Sequence, residues 1–283
     1  MATKRRRLSG TRRPDSYLRT IEQAVLIGTK LPISWFRGHS AMHGSLTPGV
    51  YRIPPTPRGG YRERWIAERF RLRAGSIQSN LPAWNDYLRW LLLMQHHGSR
   101  TRLLDWSESI LTALYFAVQG SPKHSGEIWC ARPDALNNRS DNWLCSADEP
   151  QIRYLAAEAF SNEGDARKRK GFADELGLSK SPQNPMAFFP PMDFPRMSAQ
   201  ASRFTIHPRP TEENLIESLL QGPQELVRYE IPGECKASLR RDLTSLEVTA
   251  EMLFRSLDGL ALTIEADVYA GPGAEYPSPP LFD

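Results

Sequence analysis

The sequence predicts an α+β fold, a mixed core sheet with flanking helices. Three observations point to it. Short runs rich in β-branched and aromatic residues read as strands, longer segments carry apolar residues at helical spacing, and the two kinds mix without strict βαβ alternation. No internal repeat is visible.

Taken in order, Asp15 or Ser16 can cap a first helix whose apolar positions are Leu18, Ile21, Val25 and Leu26, with Gly28 as its stop. Ile33 to Phe36 reads as a short strand that terminates at Arg37-Gly38. Residues 44–60 hold four prolines and several glycines and read as an irregular loop. A helix from Tyr61 to about Ile77 interleaves Arg62, Arg64, Arg69, Arg71 and Arg73 with Trp65, Ile66, Phe70 and Leu72. Asn85 or Asp86 can cap the next helix, which carries Leu88, Leu91, Leu92 and Met94 into a His96-His97-Gly98 turn. Thr101–Trp106 is short and extended, and Ser107 can cap the helix that buries Ile110, Leu111, Leu114 and Phe116–Val118.

Glu127–Ala131 reads as a strand and Gln151–Phe160 as a helix. Residues 161–185 have few large apolar side chains, and Phe188–Met197, with three prolines, reads as loop or edge. Arg203–His207 alternates as a strand does, and Leu226–Ile231 is another strand. From Glu234 the pattern is helical through Leu257, with Asp258-Gly259 as a break. The expected organisation is a basic disordered tail at 1–14, one domain over 15–270 with a variable insertion at about 135–190, and a Pro-rich tail at 271–283.

With 283 residues, 40% of them hydrophobic, the chain can bury a substantial core. It has no run of about 18 apolar residues and no apolar segment near its start, which argues against a membrane span or a signal peptide. Cys130, Cys145 and Cys235 are odd in number and widely spaced, as expected of reduced thiols in a cytoplasmic protein and not of a disulfide framework or a cysteine zinc site. Charge is unevenly spread. Residues 1–13 carry six basic side chains and no acid, so the net +4 leaves the rest of the chain at −2. A basic tail and an arginine-bearing helix can meet nucleic acid, RNA or DNA, or the acidic surface of an antitoxin-type protein partner.

The most reactive stretch is Gln95 to Ser107, where two histidines, two arginines, an aspartate and hydroxyls lie between two apolar segments. Trp35-Phe36-Arg37-Gly38-His39 repeats the pattern of an apolar run ending in polar residues, and the two blocks are read as one site. Structural alternatives stand beside that reading. His96 and His97 can cap a helix C-terminus. Arg102 can pair with Asp105, and so can Arg37. His39 and His43 have a ligand-like spacing, but the flanking Gly38 and Gly44 disfavour a helix there, so no metal is expected.

These residues carry a family resemblance. Trp35–His39, Leu46-Thr47-Pro48, Met94–Gly98, Asp105–Ser107 and Ala113–Ala117 resemble the FRG domain family, named after the Phe-Arg-Gly triplet found here at 36–38. Arg196–Thr205 and Leu253–Ala261 look like its later blocks. The arrangement is also similar, more distantly, to the ADP-ribosyltransferase superfamily. That resemblance implies an enzyme that takes NAD as substrate, a toxin or antiphage effector. Its catalytic residues would be Arg37, His97, Asp105 and Ser107, with NAD held by Arg37, Gly38, His96, Gly98, Thr101, Arg102, Tyr115 and Gln200. The superfamily's third position is usually a glutamate. The Gln200 block carries no acid, so Asp105 is taken as its substitute, ahead of Glu251. The other classes left open are a metal-independent nuclease using His96 or His97 as acid/base, and a non-catalytic module binding nucleic acid or a nucleotide.

Overall fold

The computed structural model describes residues 14–31, 34–54, 62–142, 146–161 and 166–269. Its centre is a seven-stranded sheet formed by β1 (Ser16–Tyr17), β2 (Trp35–His39), β3 (Leu103–Ser107), β4 (Gly126–Ala131), β5 (Met186–Phe188), β6 (Ser202–Ile206) and β7 (Leu226–Ile231), in spatial order β1-β7-β4-β2-β3-β6-β5. Only β1 and β7 run parallel; every other pair is antiparallel. The α+β expectation of a mixed sheet with flanking helices therefore holds.

One face of the sheet carries two separate apolar clusters. On the β1-β7-β4-β2 side, Phe36, Ile128, Cys130 and Ile231 pack against the helices Ile21–Lys30, Ile110–Ala117 and Lys236–Ser245. On the β3-β6-β5 side, Leu103, Phe204, Met186 and Phe188 pack against the helices Tyr87–His96 and Pro150–Glu158. The opposite face buries Trp35, Leu104, Trp106, Trp129 and Leu226 in a third cluster. Period-two alternation explains the division, because neighbours such as Leu103 and Leu104 must point to opposite faces.

The seam between the two clusters positions the site. β2 and β4 are paired over five residues and β3 and β6 over five, but β2 and β3 share a single register pair, Phe36 with Ser107. Past that pair the strands stop forming a ladder, and the centre of the sheet is open between Arg37–His39 and Leu103–Asp105.

Several boundaries differ from those the sequence suggests. Ser16 lies in β1, and Asp15 accepts the Arg228 main-chain N–H; the first helix starts at Thr20, whose side chain and that of Gln23 form a capping box. Gly28 therefore sits inside the helix. β2 runs through Arg37-Gly38 to His39, because β4 continues to pair with it. Ser109, not Ser107, caps the helix Ile110–Ala117 by accepting the Thr112 N–H. The break near the C-terminus falls at Arg255, in the left-handed region at φ 49°, and Asp258-Gly259 lie within the helix Leu257–Tyr269. The helix Pro195–Ala199 begins within the expected loop at 188–197, and residues 161–185 hold the helix Ala166–Glu175. The strand Leu226–Ile231 agrees with its expected bounds. The basic and Pro-rich tails lie outside the described residues, save Pro14, as does Cys145. No helix among the described residues is long and apolar enough to cross a membrane.

Candidate active site

The opening between β2 and β3 holds a cavity of about 140 Å³. A space near ~150 Å³ accommodates one benzene-sized ring, so a larger ligand must lie across its mouth. Of the residues singled out in the sequence, Arg37, Gly38, Gly98, Asp105, Ser107 and Gln200 line it. His96, His97, Thr101, Arg102 and Tyr115 do not.

Arg37 and Asp105 form the floor. Arg37 Nη1 donates to the Asp105 main-chain oxygen at 2.7 Å and stands 3.6 Å from its Oδ2. The arginine side chain is 13% exposed and the carboxylate 51%, so the carboxylate is the member that faces a ligand. Asp105 is the only carboxylate among the described residues that line the cavity. Gln95, at the end of the helix Tyr87–His96, fixes it from the side by donating from Nε2 to Oδ2 at 2.7 Å. Gln95 is itself oriented, because its Oε1 accepts the Thr101 hydroxyl at 2.6 Å and Thr101 Oγ1 accepts the Leu103 N–H. Thr101 thus serves the site from behind a glutamine.

Arg37 is held by a buried relay. Its Nε donates to His39 Nε2 at 2.8 Å, which obliges the other ring nitrogen to carry the proton, and His39 Nδ1 donates to Glu127 Oε1 at 2.8 Å. Burial, followed by the adjacent Arg37 charge, pushes His39 down to about 3, so the ring is neutral. Burial alone would raise the Glu127 carboxyl, but His39 and the Arg228 guanidinium, 2.6 Å away, bring it down to about 2. The sheet register explains the assembly: His39 lies opposite Glu127, and Glu127 on β4 lies near Arg228 on β7. Both His39 nitrogens are committed, and its ring meets His43 edge to face at 5.2 Å.

Ser107 is buried and bridges two turns, donating to the Gln200 main-chain oxygen at 2.7 Å and accepting the Ser109 N–H. Gln200 follows the helix Pro195–Ala199 and is 9% exposed, and its Nε2 has no hydrogen-bond partner among the described residues. The remaining wall is aromatic and basic. Phe116 and Phe254 meet edge to face at 6.1 Å, and the Arg196 guanidinium lies 5.0 Å from the Phe254 ring centre. Burial lowers the Arg196 pKa, which Asp105 partly restores.

Gly38 has a packing reason to be glycine. A Cβ there would stand 1.8 Å from the Ala113 main-chain oxygen, so the helix Ile110–Ala117 rests directly on the strand. Arg102 points away from the cavity: it pairs with buried Glu63 at 2.8 Å and with Glu158 at 2.7 Å, and does not reach Asp105. His97 is exposed at the helix C-cap. His96 stacks on Phe194 with ring centres 4.4 Å apart, and burial, aided by Arg196 and His97, pushes it down to about 4. Tyr115 is buried, which pushes its hydroxyl up to about 12.

Gln95, Arg196, Glu127 and Phe254 were not singled out by sequence reasoning as site residues. The signal for Gln95 was present, since it opens the polar stretch ten residues before Asp105. Arg196 and Phe254 fall within the later blocks of the family resemblance, but nothing local joins them or Glu127 to Arg37 and Asp105, since they arrive from β4 and from two distant helices.

Residues 33–126 match the FRG domain, about a third of the chain, in agreement with the motif resemblance. The match covers β2, β3 and the helix resting on Gly38, and leaves Arg196, Gln200 and Phe254 outside it. Neither a comparison with curated proteins nor one with solved structures gives a match. The wider ADP-ribosyltransferase resemblance rests on the motifs alone.

Proposed function

We propose that this site takes NAD and transfers its ADP-ribosyl group, with Asp105 as the catalytic carboxylate. The observation that carries the reading is one half-exposed carboxylate, clamped by Gln95 and Arg37, at the floor of a ring-sized cavity with aromatic and arginine walls. Cleaving the nicotinamide–ribose bond develops positive charge on the sugar, which a fixed carboxylate stabilises. Nicotinamide leaves with the bonding electron pair, the acceptor's nucleophile forms the new bond to the ribose carbon, and the acceptor loses a proton.

The other groups suit that task. Phe116 and Phe254 offer apolar surface to a nicotinamide ring. Arg37, Arg52 and Arg196 line the same cavity, and guanidinium groups match a pyrophosphate lying across its mouth. A nuclease reading needs a histidine acid or base at the substrate. His96 and His97, on which that reading relied, lie outside the lining, and His39 is neutral with both nitrogens occupied, which leaves His43 as the lining histidine such chemistry could use; the clamped carboxylate makes glycosyl transfer the better-supported reading. As an effector of this kind, the protein would modify a protein or nucleic-acid acceptor, held in check by an antitoxin-type partner.

Incubation with NAD labelled in the adenylate portion, together with lysate or total RNA, tests the reading. Nicotinamide release with transfer of label is expected, and both should fall by roughly a hundredfold or more in Asp105→Asn. NAD bound but never cleaved would reduce the site to a nucleotide-binding module. RNA shortened without NAD would move it to the nuclease class.

A further inference from the structure

Away from the cavity, two helices turn apolar side chains toward solvent. The first is Glu63–Ala74 with the turn after it. Its outer stripe, at one-turn intervals, is Arg62, Trp65, Arg69, Leu72, Arg73 and Ile77, all exposed, with Trp65, Leu72 and Ile77 each more than half exposed. The helix's carboxylates do not offset this charge. Glu63 is buried against Arg102, and Glu68 is paired with Arg64. Among the described residues, Arg62, Arg69 and Arg73 have no carboxylate partner.

The second helix is Leu257–Tyr269, whose outer stripe is Leu257, Asp258, Ala261, Ile264, Glu265 and Val268. Leu257, Ile264 and Val268 are more than half exposed, and Asp258 and Glu265 are exposed beside them. Both stripes repeat every seven residues. Trp65 and Leu72 match Leu257 and Ile264 in spacing, and Arg62 and Arg69 match Asp258 and Glu265. An apolar seam flanked by opposite charges at heptad spacing is the condition for two helices to pack side by side.

We propose that these two faces meet between copies of this chain, the arginine-bearing helix of one copy packing on the acidic C-terminal helix of the next. Charge complementarity selects a second copy over a polyanion. Trp65, Leu72 and Ile77 gain burial against an apolar partner stripe, whereas a phosphate backbone would leave the aliphatic side chains in water. The contact joins different surfaces of the two copies. It therefore closes into a ring, the smallest being a two-fold pair that makes the contact twice, or continues as a head-to-tail chain.

Sedimentation velocity on the full chain, from low micromolar to high concentration, tests this. Average mass should rise with concentration at low salt and fall back at high salt, since exposed charges are screened. Arg69→Glu with Arg73→Glu should weaken association by about tenfold or more, and so should Asp258→Arg with Glu265→Arg. Mixing the two double variants should restore it, because each reversed stripe then faces its complement. All these positions are exposed, and circular dichroism would verify that the variants fold. A chain that stays monomeric at every concentration, or association indifferent to both reversals, would overturn the proposal. So would binding of a single-stranded oligonucleotide that the arginine reversal abolishes in a monomeric protein, which would give the stripe to nucleic acid.

Discussion

Arg37 reaches across the open centre of the sheet to donate to the main-chain oxygen of Asp105 at 2.7 Å, bridging 68 residues of sequence where β2 and β3 no longer pair. The arginine thereby closes a gap in the sheet and orients the carboxylate beside it. Asp105→Asn keeps the shape and removes the charge, so NAD cleavage should fall by roughly a hundredfold or more while the melting temperature changes little. Arg37→Ala should lower activity similarly and also cost stability, because the Asp105 oxygen and His39 both lose their partner. A fully active Asp105→Asn would remove this carboxylate from the chemistry.

The buried relay behind Arg37 makes the fold acid-sensitive. His39 is held from its ordinary 6.5 down to about 3, so the unfolded chain takes up this proton first, and the stability tied to the neutral ring is lost as pH falls below 6.5. Glu127 is held from 4.5 down to about 2; its contribution is present above 4.5 and lost as pH falls toward 2. Both act in the same direction. The melting temperature should drop by several degrees between neutral pH and pH near 4, as scanning calorimetry would record. His39→Gln retains a donor and an acceptor but no titrating ring, and its curve should be flatter over the same range. An equally steep curve would place the sensitivity elsewhere, for example in His207, which burial also pushes down to about 3.

Arg102 lies within the polar stretch but belongs to the frame. Removing it leaves Glu63 buried and unpaired, so Arg102→Ala should destabilise the fold by about 3–5 kcal/mol. Glu63→Gln with Arg102→Met should recover much of that loss. Urea unfolding of the two variants checks it. Loss of NAD binding with normal stability in Arg102→Ala would return this residue to the site.

What could be read from the sequence follows from range. Alternation and composition act over a few residues, and they located Leu226–Ile231, Arg203–His207 and Glu127–Ala131 within a residue or two. They also drew attention to Arg37 and Asp105. Arg102 precedes Leu103, the first residue of β3, so alternation along the strand does not place its side chain. Its side chain is buried with Glu63 and Glu158, while Asp105 within the strand lines the cavity, so closeness in sequence did not imply a shared pocket. Glu127, 88 residues from His39, and Arg228, 101 residues from Glu127, are brought together only by strand order. Arg196 and Phe254 lie in blocks the family resemblance picked out, yet only the fold shows that their helices deliver them to the cavity.

Gly38 supports the site through packing. Adding one methyl group would drive a Cβ to 1.8 Å from the main-chain oxygen of Ala113, a group that cannot rotate away. Gly38→Ala should therefore destabilise the protein by about 1–3 kcal/mol by displacing the helix Ile110–Ala117, which carries Thr112, Ala113 and Phe116 into the cavity lining. Activity should fall as well. Unfolding curves showing wild-type stability would mean that the helix can slide at little cost.

Gln200 offers the most direct probe of the ligand. Its Nε2 is buried at the cavity wall without an acceptor among the described residues, which is unfavourable unless a ligand supplies one. Gln200→Met has similar length and no donor. With no existing bond to lose, stability should stay level or rise slightly, whereas affinity for NAD should weaken by about tenfold, the equivalent of one hydrogen bond of about 1.4 kcal/mol. Gln200→Glu replaces the donor with acceptors and should weaken binding further. Titration calorimetry beside thermal melts separates the two effects. Reduced affinity at unchanged stability would mark Gln200 as a ligand-contacting residue. Unchanged affinity would mean that the bound molecule does not reach this wall.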